Sequence, residues 1–136
     1  MAGCTTSTRR VRRRAHPAVA HRDCTDRPLA LHPTCSSTHL GTNDALSRIA
    51  EMIAAEVVIP DGWGCCAFAG HRGMLHPELT ASTTAREAAS VKSRNFDAYA
   101  STNRTCELRL ARATGHEYEH LPETVERATR PTTPST

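Results

Sequence analysis

Glu56-Val57-Val58-Ile59-Pro60 is the stretch that decides the fold class, because three consecutive β-branched residues stopped by proline make the clearest strand in the chain. Downstream, Gly62, Gly64, Gly70 and Gly73 fall within twelve residues, a composition that permits tight turns and close approach of backbone to a ligand. The Pro-Glu-Leu opening at Pro77 puts proline and an acid in a first turn, so a helix is expected from Pro77 to Val91. Upstream, Leu46, Ile49, Ala50 and Ile53 recur at helical spacing behind Thr42, Asn43 and Asp44, which predicts an amphipathic helix over residues 43–55. Pro28-Leu29-Ala30-Leu31-His32 reads as a buried strand that stops at Pro33. Toward the C-terminus the pattern predicts a strand over 96–101 and a helix over 106–113 stopped by Gly115. A short strand near Tyr118 and a last helix over 122–128 follow.

Strands alternating with helices imply an α/β fold: three layers, with a mostly parallel sheet of three to four strands and helices on both faces. The expected division is a disordered basic arm over residues 1–26, an α/β domain over 27–130 and a Pro/Thr tail over 131–136. In a parallel sheet the loops after each strand share the carboxyl edge, where open α/β sheets place their ligands. Cys35, the adjacent pair Cys65 and Cys66, and Cys106 each follow an expected strand by a few residues, so topology alone delivers four thiols to one rim.

The chain has 136 residues, enough for one domain and no second catalytic one. Its net charge of +3 comes from Arg9, Arg10, Arg12, Arg13, Arg14 and Arg22, all within the arm, and the rest is slightly acidic. No base-reading motif accompanies this run, which reads as a solvated arm and not as a specific nucleic-acid binder. Aromatics make up only 4% of the chain, too few for a base-stacking platform. No stretch approaches the ~20 apolar residues of a membrane span, and the apolar run at Ala18–Ala20 is short for a signal peptide, so a cytoplasmic location is expected.

Six cysteines without an export signal argue for metal or redox chemistry over a disulfide framework. Cys4 and Cys24 are read as tail thiols. Clustered thiols gain a physical reason when a soft cation draws off their protons, which selects iron–sulfur clusters, zinc or copper(I). Zinc usually takes ligands from Cys-x-x-Cys knuckles, and this chain has none. Four cysteines within glycine-rich backbone suit an iron–sulfur cluster, whose sulfides accept N–H hydrogen bonds. The spacing is 29 residues, an adjacent pair, then 39 residues.

That arrangement resembles the cysteine-rich CCG domain. It is carried by His32-Pro33-Thr34-Cys35-Ser36-Ser37, Pro60-Asp61-Gly62-Trp63-Gly64-Cys65-Cys66, Ala69-Gly70-His71-Arg72-Gly73, Pro77-Glu78-Leu79-Thr80-Ala81 and Ser101-Thr102-Asn103-Arg104-Thr105-Cys106-Glu107. The chain is similar to the iron–sulfur part of glycolate oxidase and heterodisulfide reductase subunits, and most of all to the C-terminal part of FAD-linked D-lactate dehydrogenases. The resemblance implies an iron–sulfur electron-transfer module held by Cys35, Cys65, Cys66 and Cys106. His32, Gly64, Gly70, His71, Arg72, Asn103 and Arg104 lie in the matching loops as supporting residues. FAD would belong to a separate parent domain, and the partners implied are that flavin domain, a ferredoxin-type domain or another electron acceptor. On this reading the chain is a C-terminal fragment that does not turn over substrate alone. The alternative is a non-catalytic remnant holding zinc or no metal. Three positions depart from the family pattern: Ala67 where glycine is preferred, His71 where aspartate is preferred, and Arg109 where a small glycine is usual. Ala67 matters only if its φ is positive.

Overall fold

The computed structural model describes residues 10–12 and 25–131. Cys4, Cys24, the rest of the basic arm and the tail from residue 132 lie outside the described residues. The elements in chain order are β1 (Arg10–Arg12), β2 (Thr25–Leu31), α1 (Cys35–His39), α2 (Asn43–Glu51), β3 (Ala54–Val58) and α3 (Arg72–Leu75). They continue with α4 (Pro77–Lys92), β4 (Ala98–Ser101), α5 (Arg104–Thr114), β5 (Glu119–His120) and α6 (Leu121–Thr129).

The fold is α/β, with one sheet in the order β1-β3-β2-β4-β5. β2, β3, β4 and β5 run parallel, and β1 pairs antiparallel along the outer edge of β3. Three residues of the stretch read as a disordered arm therefore contribute an edge strand. The chain passes from β2 outward to β3 and then returns past β2 to β4, so the direction of winding reverses between β2 and β4. The carboxyl ends of those two strands frame the switch point where sheets of this class open a crevice.

β2 begins at Thr25, ahead of Pro28, because its pairing with β3 shifts register between those residues, and such an irregularity accommodates proline within a strand. Leu29 to Thr34 are all buried, as expected for a central strand covered on both sides. α2 and α6 cover one face, where Leu29, Leu31, Ala50, Ile53, Ala54, Val57, Ala100 and Leu121 form the main apolar core. α4 and α5 pack against each other over the opposite face. The buried stripe of α4 is Thr80, Thr84, Glu87, Ala88 and Val91, at helical spacing but largely polar. Its threonines satisfy their hydroxyls on the preceding turn: Thr80 Oγ1 donates to the Pro77 carbonyl at 2.8 Å and Thr84 Oγ1 to the Thr80 carbonyl at 2.7 Å.

Candidate metal centre

Three local structures present the four cysteines. Thr34 caps α1 in a reciprocal pair with Ser37: Ser37 N donates to Thr34 Oγ1 at 3.0 Å and Thr34 N to Ser37 Oγ at 2.9 Å. Cys35 is thereby fixed as the first residue of that short helix, exposed at the mouth of the rim. Asn103 caps α5 by accepting from Thr105 N at 3.0 Å, which sets Cys106 in the first turn and buried. Asn103, expected as a supporting residue, thus fixes the start of the helix that carries Cys106.

Cys65 and Cys66 sit in the long loop between β3 and α3. Ala67 and Ala69 adopt φ values of +53° and +43°, and Gly70 one of +62°, so the chain doubles back through the left-handed region immediately after the pair. Phe68 plugs the turn, buried with Cys66 and Cys106 in one cluster. Gly73 N donates to the Phe68 carbonyl at 2.6 Å, and a Cβ on Gly73 would stand 2.5 Å from that oxygen, so only glycine closes the clamp. At Gly64 and Gly70 a Cβ would meet no protein atom within 4 Å, so protein packing does not demand glycine at either.

The two buried thiols meet: Cys66 Sγ lies 2.9 Å from Cys106 Sγ. Hydrogen bonding from Cys106 lowers the Cys66 thiol to about 6, against the opposing effect of burial and with further help from the charge of His32. The Cys106 thiol is pushed well up, by donating to Cys66, by burial and by the negative charges of Cys66, Cys35 and Cys65. Cys35 and Cys65 are exposed, and Cys66 and Cys106 are enclosed. Ala67 N donates weakly to Cys65 Sγ at 3.4 Å.

Around them, His32 is fully enclosed and its Nδ1 lies 2.7 Å from Glu87 Oε1. The sequence flagged His32 but gave no sign of its partner, 55 residues away; the one available signal was the helical period that puts Glu87 on the buried stripe of α4. His71 and Arg72 are exposed, and His71 contributes only its carbonyl to the turn of α3. Arg104 donates to Glu107 at 3.0 Å and lies 3.7 Å from Glu123, so its charge is held by carboxylates. Arg109, expected to need room, is buried, with one terminal nitrogen donating to the Pro77 carbonyl at 3.1 Å to tie α5 to the start of α4. A groove of about 690 Å³ lies on the α2 side of the same rim between Pro33, Asn43, Arg48, Asp61 and Trp63, and no cysteine lines it.

The donor set suits a soft ion: four thiols, two of them enclosed, and one buried ring nitrogen without a partner. Among the described residues, however, no three Cys, His, Asp or Glu side chains already stand in a metal-holding arrangement. Two sulfurs sharing one tetrahedral ion with bonds of about 2.3 Å would be about 3.8 Å apart. Cys66 and Cys106 are closer than that, so loading requires the pair to open and the exposed thiols to fold in.

No curated protein and no solved structure matches the chain. The family model described as a cysteine-rich domain matches residues 29–111, more than half of the chain, from within β2 to beyond Cys106. Together with four thiols gathered at the carboxyl edge of a parallel sheet, that match places the chain in the CCG cysteine-rich domain family.

Proposed function

We propose that the chain is an iron–sulfur-type electron-transfer module of a flavin-linked D-lactate or related 2-hydroxyacid dehydrogenase, with Cys35, Cys65, Cys66 and Cys106 as the ligands. What supports this reading is the placement of the four cysteines in the segments that follow β2, β3 and β4, with Cys66 Sγ 2.9 Å from Cys106 Sγ. When bound, an iron–sulfur cluster supplies a one-electron relay. The protein's share is to bring thiolates together, exclude water at the inner pair and leave the outer pair open to whatever docks at the rim. The chain carries no hydride-accepting chemistry of its own on this reading, so a flavin domain and a ferredoxin-type domain or other acceptor are its functional partners.

Anaerobic reconstitution of the full chain with ferrous iron and sulfide tests it. The expected result is a brown protein with broad visible absorption and bound iron and sulfide, lost in both Cys66→Ala and Cys106→Ala. Colourless, iron-free protein would overturn the cluster. A second reading, a remnant holding zinc or nothing, is favoured by one observation: Ala67, where the family prefers glycine, does sit at positive φ, beside the ligand pair. Stoichiometric zinc after the same reconstitution, with circular dichroism reporting an intact α/β fold, would select that reading.

A further inference from the structure

At the carboxyl end of β2 stands a histidine whose bonding is half complete. His32 follows the last residue of β2, and its backbone is pinned on both sides: its N–H donates to the Ala100 carbonyl at 2.9 Å and its carbonyl accepts from Ser101 Oγ at 3.2 Å. The ring is therefore anchored at the switch point between β2 and β4. A carboxylate only accepts, so the 2.7 Å contact with Glu87 places a proton on Nδ1, and in the neutral ring the lone pair is then on Nε2. Nε2 is buried and has no hydrogen-bond partner among the described residues. Buried ring nitrogens are ordinarily satisfied, and one left open marks a place where something else is meant to bind.

A carboxylate that fixes the tautomer of a histidine and turns its other nitrogen toward a metal is a recurring device of metal sites. Glu87 is a costly residue to bury, and its one hydrogen-bonding partner among the described residues is this imidazole. The ring follows β2 directly and stands three residues before Cys35, at the carboxyl edge that the cysteine loops share. The second acid in this part of the structure, Glu107, is already committed to Arg104 and to His120 Nδ1 at 2.7 Å, so it does not compete for His32. Tyr118, whose hydroxyl is also buried without a partner, lies within the field of Glu87.

We propose that Nε2 of His32 is a further donor of the cysteine site, an imidazole nitrogen presented from the sheet to a soft divalent metal ion taken up by Cys66 and Cys106. The proposal rests on the reading of the cysteines as metal ligands. It gives the site a mixed sulfur and nitrogen shell in place of an all-thiolate one, and makes Glu87 the residue that positions the ring. A neutral imidazole binds without giving up a proton and adds no negative charge, so it eases the repulsion that clustered thiolates would otherwise suffer.

The test is anaerobic titration of the full chain with cobalt(II) alone, read by visible absorption and by X-ray absorption at the cobalt edge. The wild-type chain is expected to show thiolate-to-cobalt bands together with a nitrogen neighbour at about 2.0–2.1 Å and the outer-shell scattering of an imidazole. His32→Gln should keep the thiolate bands and lose the imidazole scattering. Glu87→Gln should keep the imidazole and weaken cobalt binding by about 10–100-fold, as removal of an outer partner does elsewhere. Cobalt bound in the wild type by sulfur without imidazole overturns the role of His32 and leaves the cysteine site standing, as does imidazole scattering that survives His32→Gln. No bound cobalt at all overturns both. The wild-type spectrum decides the matter even where a variant does not fold.

Discussion

The two faces of the sheet are built from different materials. On the α2 and α6 face, Leu29, Leu31, Ile53, Val57 and Leu121 pack without a hydrogen bond to arrange, and any shape of about the right volume serves. On the α4 and α5 face, Glu87, Glu107, Arg109, Thr80 and Thr84 are buried alongside His32 and the inner cysteines, and each needs a named partner. Among the described residues, three atoms there lack one: His32 Nε2, Arg109 Nε and Tyr118 Oη. The first face supplies stability through area. The second specifies geometry, because a buried polar group is costly in every arrangement but the one that satisfies it.

The sharpest way to break this contrast is to cut into each face and compare. Leu31 is 1% exposed at the centre of the apolar cluster. Leu31→Ala should cost about 2–5 kcal/mol, read as a lower urea midpoint of the metal-free chain with the slope unchanged. A loss below about 1 kcal/mol would mean that this face does not carry the fold. Glu87→Ala should cost less, about 1–3 kcal/mol, and for another reason: it strands the Nδ1–H of His32. Replacing both His32 and Glu87 by leucine should then destabilise by less than the sum of the single changes, since no orphan remains. Strict additivity would show that the pair is not coupled in solution.

The same contrast explains what the sequence could and could not disclose. The α/β class and the parallel strands were legible because apolar runs such as Leu29–Leu31 and Val57–Val58 repeat between helical patterns, and the shared carboxyl edge of the cysteines followed from that. Strand edges were less legible. β3 runs over Ala54–Val58 and not to Pro60, since Ala54 gains its strand conformation by pairing with Thr25, a tertiary effect that propensity does not carry. The helix expected to reach residue 55 stops at Glu51 for the same reason. α1 went unseen because its capping box uses Ser37 where the usual signature has Glu or Gln, and it is only five residues long. β1 is three residues of arginine-rich chain held by an edge, with no pattern of its own to read. Of the site, the thiols were visible as a motif, while the His32–Glu87 contact spans the fold and leaves no local trace.

A smaller effect, confined to the polar face, comes from protons. In the metal-free chain Cys66 is lowered to about 6 from 9.0, while Cys106 is raised. Between about 6 and 9.0 the folded chain has released one proton that the unfolded chain still holds, so the pair's contribution to stability rises with pH over that window. Above 9.0 the unfolded chain loses both protons while Cys106 keeps its own, so the contribution falls again. Ultraviolet thiolate absorbance should accordingly show one midpoint near 6, and Cys106→Ala should move it up toward 9.0. A midpoint that ignores the Cys106 substitution would mean that the two sulfurs do not share a hydrogen bond.

The smallest effect tests the loop that joins the two thiol pairs. Ala67 holds a φ of +53°, a conformation that costs an L-residue about 1–2 kcal/mol relative to glycine. Glycine returns part of that gain because its unfolded chain is freer, by roughly 0.5–1 kcal/mol. Ala67→Gly should therefore stabilise the metal-free chain by up to about 1 kcal/mol, a small rise in urea midpoint, and Ala67→Val should lower it. The strain sits where the chain turns immediately after the thiol pair, with Phe68 buried in one cluster with Cys66 and Cys106. Relief of strain at 67 should then ease loading of metal as well as folding. A glycine variant that is less stable than the wild type would show that residue 67 does not occupy the left-handed region in solution, and the path of the loop past the thiol pair would have to be redrawn.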